Sequence, residues 1–423
     1  MACILVKPNG KHKGILSVTT SELDQITYRG QLIEDVLGIK DLYYLGLHHN
    51  WHPVDFEISG EFDFHFLESK DALFLKGGEN LLEMDACNFT PAYFSNNRNI
   101  PVWDLLIVGR TANFKRPFKT LETVRELFDR GHLLKVLWIC PMDFKNTDDK
   151  AIAEGYEKLF SRSEKELFTL LNPQSNFPFT LSRQELSLFY LSSRSYAHFS
   201  DVETRCRVAA YAFCTGIPVI GHSMIANILT EELAIEPTFY EVKNDDYVTS
   251  ILKAVYEPVK PDQSACMNIL SEGSSINRLV ANLNHCLNPK QEFATNQFFS
   301  NNLDIRLGAA HSGNETSNSY GIDLLAFIKG LKNENADNFF KNIPINSHSP
   351  EHDFGSLAIL ELNKTHSTLS FDLKKYRKSE IKISRKGRVR FNLYRIIKIM
   401  YALPLIGIVS RRLVKTLQST IKS

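Results

Sequence analysis

Between residues 104 and about 258 the chain alternates short apolar runs with longer amphipathic ones, and this alternation restricts its fold more than any other feature. "DLLIVGR", "LLKVLWIC", "SYAHFS", "IPVIG" and "TFYEV" read as strands. Between them lie helical patterns. "FKTLETVRELFDRGH" puts Leu121, Val124, Leu127 and Phe128 on one face. Residues 150 to 171 read as one charged amphipathic helix, and "RQELSLFYLSS", "ETRCRVAAYAFCTG", "MIANILTEELA" and "DYVTSILKAVY" as further helices. The strands are near-continuous apolar runs, which is what a sheet covered on both faces requires. Strands separated by helices of this length imply right-handed crossovers and a parallel sheet.

A chain of 423 residues is too long for one ordinary core. Four regions are expected. Residues 1–103 form a small α/β domain with strand patterns at "ACILVK", "GILSVTT", "LYYLGL", "VDFEIS", "FDFHFL" and "ALFLKGG", and a helix at "RGQLIEDVLG". Residues 104–300 form the regular α/β domain. Residues 301–380 are an irregular, partly Asn/Ser-rich extension with one helix near 321–332. Residues 381–423 are a basic tail. Apolar content of 43% and charged content of 23% are those of a soluble globular protein. The formal net charge of +1 hides an asymmetry. From Lys374 onward, 15 Lys and Arg stand against one acid, Glu380, while the preceding 373 residues hold 34 basic and 47 acidic groups. The seven cysteines form no CxxC pair, which predicts reduced thiols in a cytoplasmic protein. "MACILVKPNG" has too short an apolar run for a signal peptide.

The chemistry concentrates where strands end. In open parallel sheets, ligands bind at the carboxyl ends of the strands. The first strand of the regular domain opens at Gly109 directly onto Arg110, with Lys115 five residues later. Two cations there suit a diphosphate; an ordinary solvated loop is the other reading. In "HFSDVETRCRVAAYAFCTGIPVIG" a strand ends at Ser200, Asp201 and Glu203 follow, and a helix begins. Its N-terminus presents free N–H groups to the crevice, unless Asp201 and Glu203 only cap the helix.

Taken together, the two segments resemble the C-terminal domain of GT-B fold glycosyltransferases, in particular the retaining family 4, over roughly residues 84 to 300. Gly109, Arg110 and Lys115 match that family's Gly-Arg and following Lys. Glu203, followed by Gly216, Ile217, Pro218 and Val219, matches its Glu-x7-Glu segment and Gly-x-Pro-Val. The resemblance implies an α/β fold of two Rossmann-like domains facing across a cleft, with a shortened N-terminal domain. It implies transfer of a sugar from a nucleotide-sugar donor to a glycan or lipid-linked acceptor, with retention and without metal or other cofactor. Arg110 and Lys115 would bind the donor diphosphate and offset its growing charge, and Glu203 would contact the donor sugar. Gly109, Asp201, Thr204, Arg205 and Tyr211 would line the donor site, with Gly10 of "PNGKHKG" approaching it from the first domain. The family's second Glu falls on Tyr211, and its Gly-rich turn is replaced by Thr204, Arg205 and Cys206. A noncatalytic binding or scaffold protein on a degenerate GT-B frame is the alternative those departures leave open.

Other features point less far. His48, His49 and His52 in "HHNWH" lack a companion Cys or carboxylate set for zinc and read first as loop histidines, second as acceptor-side groups. Asp148–Asp149 and Asp245–Asp246 read as solvated helix starts. In the tail, the apolar core Ile396–Val409 spans roughly 21 Å as a helix, short of a ~30 Å hydrocarbon core. Its basic flanks predict an interfacial helix on an anionic membrane surface, making the protein peripheral on the cytoplasmic membrane face. Packing against the protein body is the alternative, and sparse aromatic interleaving speaks against nucleic acid.

Overall fold

The computed structural model describes residues 3–8, 12–20, 36–49, 60–67, 80–96, 100–142, 147–172, 181, 183–203, 205–230, 233–234, 238–257, 262–287 and 293–294. All belong to the first of two compact units, Met1–Ser370. The expected extension, the basic tail, Gly10, His52, Thr204 and the patterns "VDFEIS" and "ALFLKGG" lie outside the described residues, as does most of "RGQLIEDVLG".

The fold class is α/β, built on two sheets. The first takes β1 (Cys3–Val6), β2 (Gly14–Thr19), β3 (Tyr43–His49), β4 (Phe64–Leu67) and β5 (Leu81–Glu83) in chain order. β1 runs antiparallel to β2, and the remaining neighbours are parallel. β2 and β4 are buried along their whole length, and the burial extends to their polar members Ser17, Thr19 and His65. Gly46 in β3 is dictated by packing: a Cβ there would lie 2.1 Å from the Phe66 ring.

The second sheet contains β6 (Trp103–Val108), β7 (Val136–Ile139), β8 (Phe168–Leu171), β9 (Ser193–Ala197), β10 (Val219–Gly221) and β11 (Phe239–Glu241), all parallel. Its order is β11-β10-β9-β6-β7-β8. From β6 the chain winds outward through β7 and β8, then returns to the other side of β6 and winds outward again through β9, β10 and β11. That is the doubly wound pattern, and its switch point lies between β6 and β9.

The connecting helices are α1 (Pro117–Asp129), α2 (Thr147–Leu159), the single turn α3 (Arg162–Lys165), α4 (Arg183–Leu191), α5 (Arg207–Thr215) and α6 (Tyr247–Tyr256). α1 buries Leu121, Val124, Leu127 and Phe128, the face its periodicity predicts. α5 is buried from Ala209 through Thr215, so an amphipathic stripe is absent and apolar residues surround it. It stops at Gly216, whose φ of 71° is left-handed. Beyond α7 (Gln263–Leu270), α8 (Glu272–Leu287) places Leu279, Val280 and Leu283 in one core with Leu5, Phe64, Phe66 and Leu82 of the first sheet.

Four local expectations change. The helix predicted over 150–171 ends at Leu159, and its last residues form β8, whose four-residue run "FTLL" is too short to declare itself. Among its described residues, "MIANILTEELA" shows a 3₁₀ segment, Ser223–Ile228, in place of a helix. His48 and His49 are buried in β3 rather than on a loop, and His49 Nε2 lies 2.8 Å from His65 Nδ1 of the neighbouring strand. Asp148 and Asp246 are exposed at helix starts, as expected, but their neighbours are engaged. Asp149 is buried and accepts a hydrogen bond from Thr111, while Asp245 is paired to Arg116. Among the described residues no helix is long and apolar enough to cross a membrane.

Candidate functional site at the switch point

The strands flanking the switch point deliver the polar groups. β6 ends at Val108, and Gly109 and Arg110 leave its carboxyl edge. The chain then makes a 3₁₀ turn, Asn113–Lys115, before Arg116 takes a left-handed conformation (φ 53°) and Pro117 starts α1. Proline at the first helical position has no N–H to leave unpaired, so it fixes the start. Two anchors hold this loop. Thr111 donates to Asp149 at the start of α2. Arg116 forks onto Asp245, with both N···O distances 2.7 Å. Asn244 and Asp245 are also left-handed, at φ 51° and 62°. Three residues in that region at one place form a strained corner, retained because the bidentate pair over-determines it.

Across the switch point, β9 ends at Ala197 and His198 follows. Its Nε2 lies 2.8 Å from Glu203 Oε2, and its Nδ1 lies 3.0 Å from the Tyr196 hydroxyl. Tyr247 of α6 donates to the His198 carbonyl at 3.0 Å. Lys115 Nζ meets the same Glu203 oxygen at 2.5 Å. Cys206, at the N-cap of α5, has its Sγ 3.7 Å from His198 Nδ1 and 3.9 Å from Lys115 Nζ. One carboxylate thus sits between an ammonium and an imidazole, in a pocket where its side chain is 15% exposed.

Charge states follow from these contacts. Burial opposes ionisation of Glu203, but the hydrogen bond from His198 and the charge of Lys115 outweigh it and lower its pKa to about 2. Burial also opposes the imidazolium of His198, yet Cys206 and the bond to Glu203 raise its pKa to about 9. Both ring nitrogens then donate, Nε2 to Glu203 and Nδ1 to Tyr196. Cys206 titrates below an ordinary thiol, because His198 and Lys115 overcome its burial.

Val108, Gly109, Arg110, Lys115, Trp138 and His198 line a small hollow that opens to solvent and has room for about one water molecule. Arg110 and Lys115 bring two cations to its lining. The Arg110 guanidinium is held below the usual value by partial burial and by the nearby charge of Arg207 at the start of α5. His198, Glu203 and Cys206 are close enough together to be considered as metal ligands. The geometry fits poorly: Glu203 and Cys206 face different nitrogens of the ring, and Lys115 already sits on the carboxylate oxygen.

The residues expected at the site therefore divide. Gly109, Arg110 and Lys115 line the hollow, and Glu203 reaches it through Lys115 and His198. Asp201 is displaced toward Arg116, 4.0 Å away. Two residues belong elsewhere. Tyr211 is 2% exposed and stacks on Phe94, with ring centroids 4.2 Å apart, because its position on α5 faces the core. Arg205 turns away from the hollow to Glu83 and Asp85. Sequence reasoning missed His198 and Arg116. The first was visible only as a histidine closing a strand beside the switch point, the second as the cation preceding Pro117.

No family model matches the chain, and no curated protein matches it. Solved structures similar to it include the pneumococcal O-GlcNAc transferase GtfA in complex with UDP and GlcNAc, at 13% identity and a TM-score of 0.42, covering 62% of this chain and 55% of that one. TarM is similar at 13% identity and a TM-score of 0.42, over 57% of this chain and 51% of that one. A glycosyltransferase from Rickettsia africae is similar at 10% identity and a TM-score of 0.46, over 63% of this chain and 82% of that one. The chain spans about half the length of the first two.

Proposed function

We propose that the chain is a nucleotide-sugar-dependent glycosyltransferase of the GT-B type, with the donor diphosphate held at the β6–β9 switch point. One observation carries the reading: residues 88 positions apart, Lys115 and Glu203, meet at 2.5 Å beside a hollow that Arg110 also lines. Lys115 and Arg110 would neutralise the diphosphate as the glycosidic bond breaks, work that needs fixed cations more than proton transfer. Glu203, ionised and oriented by His198, would accept hydrogen bonds from donor-sugar hydroxyls. With cations in these positions the reading requires no metal. Retention, a glycan or lipid-linked acceptor, and attachment of residues 381–423 to an anionic cytoplasmic membrane face complete it.

A second reading has one observation in its favour. Tyr211, which stands where the resemblance has a ribose-binding carboxylate, is buried in the core. A noncatalytic binding or scaffold protein on a degenerate GT-B frame would tolerate that loss.

Thermal shift with UDP, GDP and ADP tests the site. At least one is expected to raise the unfolding midpoint, and Arg110→Ala with Lys115→Ala is expected to abolish the effect. Release of nucleotide from the matching nucleotide sugars then separates the two readings. Stabilisation by none of the three nucleotides would remove the donor site altogether.

A further inference from the structure

Glu203 and Arg205 lie two residues apart and point in opposite directions. Glu203 faces Lys115 and His198. Arg205, 11% exposed, enters a cage made by the segment leaving the first sheet. Its Nε donates to Asp85 Oδ2, and its Nη2 donates to Glu83 Oε1 and Asn88 Oδ1, both at 3.3 Å. The cage is itself closed: Asp85 Oδ1 accepts from the Cys87 amide at 2.7 Å, and Asn88 Nδ2 donates to Glu83 at 3.0 Å. Glu83 ends β5, and Asp85 caps the 3₁₀ turn Ala86–Asn88. A guanidinium buried among two carboxylates is costly to separate from them, so these contacts form or break as a set.

Between β9 and α5 the His198 amide still donates to the Ile220 carbonyl, and none of the described residues Phe199–Glu203 and Arg205 belongs to a helix or strand. Two neighbouring side chains grip this stretch from opposite sides, one in the hollow and one in the cage. We infer that Arg205 is a positioning residue that docks the Glu203 loop onto residues 83–88, so that the nucleotide-binding end of the second sheet is set by the last strand of the first. This rests on the reading that Glu203 and Lys115 belong to the donor site. Coupling of this kind is reciprocal: nucleotide in the hollow steadies residues 83–88, and loosening those residues weakens nucleotide binding.

The experiment uses the full chain and the variants Arg205→Met, Arg205→Lys and Asp85→Asn, at a temperature where each is fully folded. Three quantities are read: affinity for UDP, GDP and ADP, the rate of Cys206 alkylation by iodoacetamide, and amide exchange across residues 83–88 with and without nucleotide. Arg205→Met is expected to weaken nucleotide binding tenfold or more, to speed Cys206 alkylation by a similar factor, and to abolish nucleotide-dependent protection of 83–88. Arg205→Lys restores part of each effect, since an ammonium reaches one carboxylate but cannot fork. If Arg205→Met does not fold, Asp85→Asn is expected to shift all three in the same direction. Unchanged affinity and alkylation in a folded variant with a lowered unfolding midpoint would make the cage a structural brace only, and overturn the inference. Should the parent protein bind none of the three nucleotides, the donor reading fails, and the alkylation rate alone decides whether Arg205 holds the loop.

Discussion

Glu203 and Lys115 neutralise each other before any ligand arrives, and this has a counter-intuitive consequence for Glu203→Gln. Nζ and Oε2 are 2.5 Å apart. A phosphate oxygen reaching Nζ from its far side at an ordinary charge-assisted distance of ~2.8 Å would stand about 5 Å from the carboxylate. At an effective dielectric of about 20, two like charges at that separation repel by about 3 kcal/mol. Glutamine keeps the volume and one acceptor oxygen but removes the charge. If half of that repulsion is relieved in the presence of solvent and His198, about 1.4 kcal/mol returns as affinity, a factor of about ten. UDP, which carries no sugar, is therefore expected to bind Glu203→Gln about tenfold more tightly than the parent. Sugar transfer is expected to fall, because the group that would hold the donor sugar has lost its charge. Isothermal titration with UDP at low and high salt is the assay, and the gain should shrink as salt screens the repulsion. Unchanged or weaker UDP binding in a folded Glu203→Gln would mean that the phosphates do not share Lys115 with this carboxylate, and the electrostatic argument would fail.

Stability should depend on pH in two separate windows. The pKa of Glu203 is depressed from 4.5 to about 2, so its contribution is complete above the unfolded value and is lost as pH falls toward 2. The pKa of His198 is raised from 6.5 to about 9, so its contribution is present below 6.5 and is lost as pH rises through 9. Each displacement is worth about 3 kcal/mol, of which only the part from the Glu203–His198 contact is shared between the two groups. Unfolding midpoints should be flat between the two windows and fall through each of them, toward acid in the first and toward alkali in the second, and His198→Gln should remove the alkaline fall; a midpoint insensitive to alkali in the parent would contradict the assignment. Tyr211→Phe should bind nucleotide like the parent, while Tyr211→Ala should lose about 3–5 kcal/mol of stability, measured by denaturant titration, through the cavity left against Phe94. Weaker nucleotide binding by a stable Tyr211→Phe would restore a ribose role to this residue. Gly109→Ala should fold normally, because its Cβ would meet only Lys115 Cδ at 3.9 Å, yet should bind UDP less well if phosphates approach the backbone there. Retained UDP affinity would exclude that approach.

Legibility in the sequence followed the range of the interactions. The second sheet was readable because its signal is local: a strand buried on both faces must be apolar throughout, and a crossover helix must show a stripe, as Leu121, Val124, Leu127 and Phe128 do. β8 and β5 escaped notice because runs of four and three residues carry no period. The order of strands in the first sheet depends on pairings between segments, which composition does not encode. Gly109, Arg110 and Lys115 come together because one strand end and one turn deliver all three.

Residues 201–206 mark where such reading stops. Asp201, Glu203 and Arg205 alternate along an irregular stretch, and their residue types do not reveal which way each side chain turns. The direction of Arg205 is set by Glu83 and Asp85, more than a hundred positions earlier, whose own placement depends on β5 closing the first sheet. Tyr211 was misplaced for a related reason. A family pattern assigns it a position on α5, but only the packing of Phe94 and Tyr190 around that helix shows that this position faces inward. The cations of the hollow come from local chain geometry, whereas the carboxylate that balances them is held by a loop tied to the other sheet. A substitution in residues 83–88 would therefore act on the hollow without touching it, and no inspection of the hollow's own residues would explain the loss.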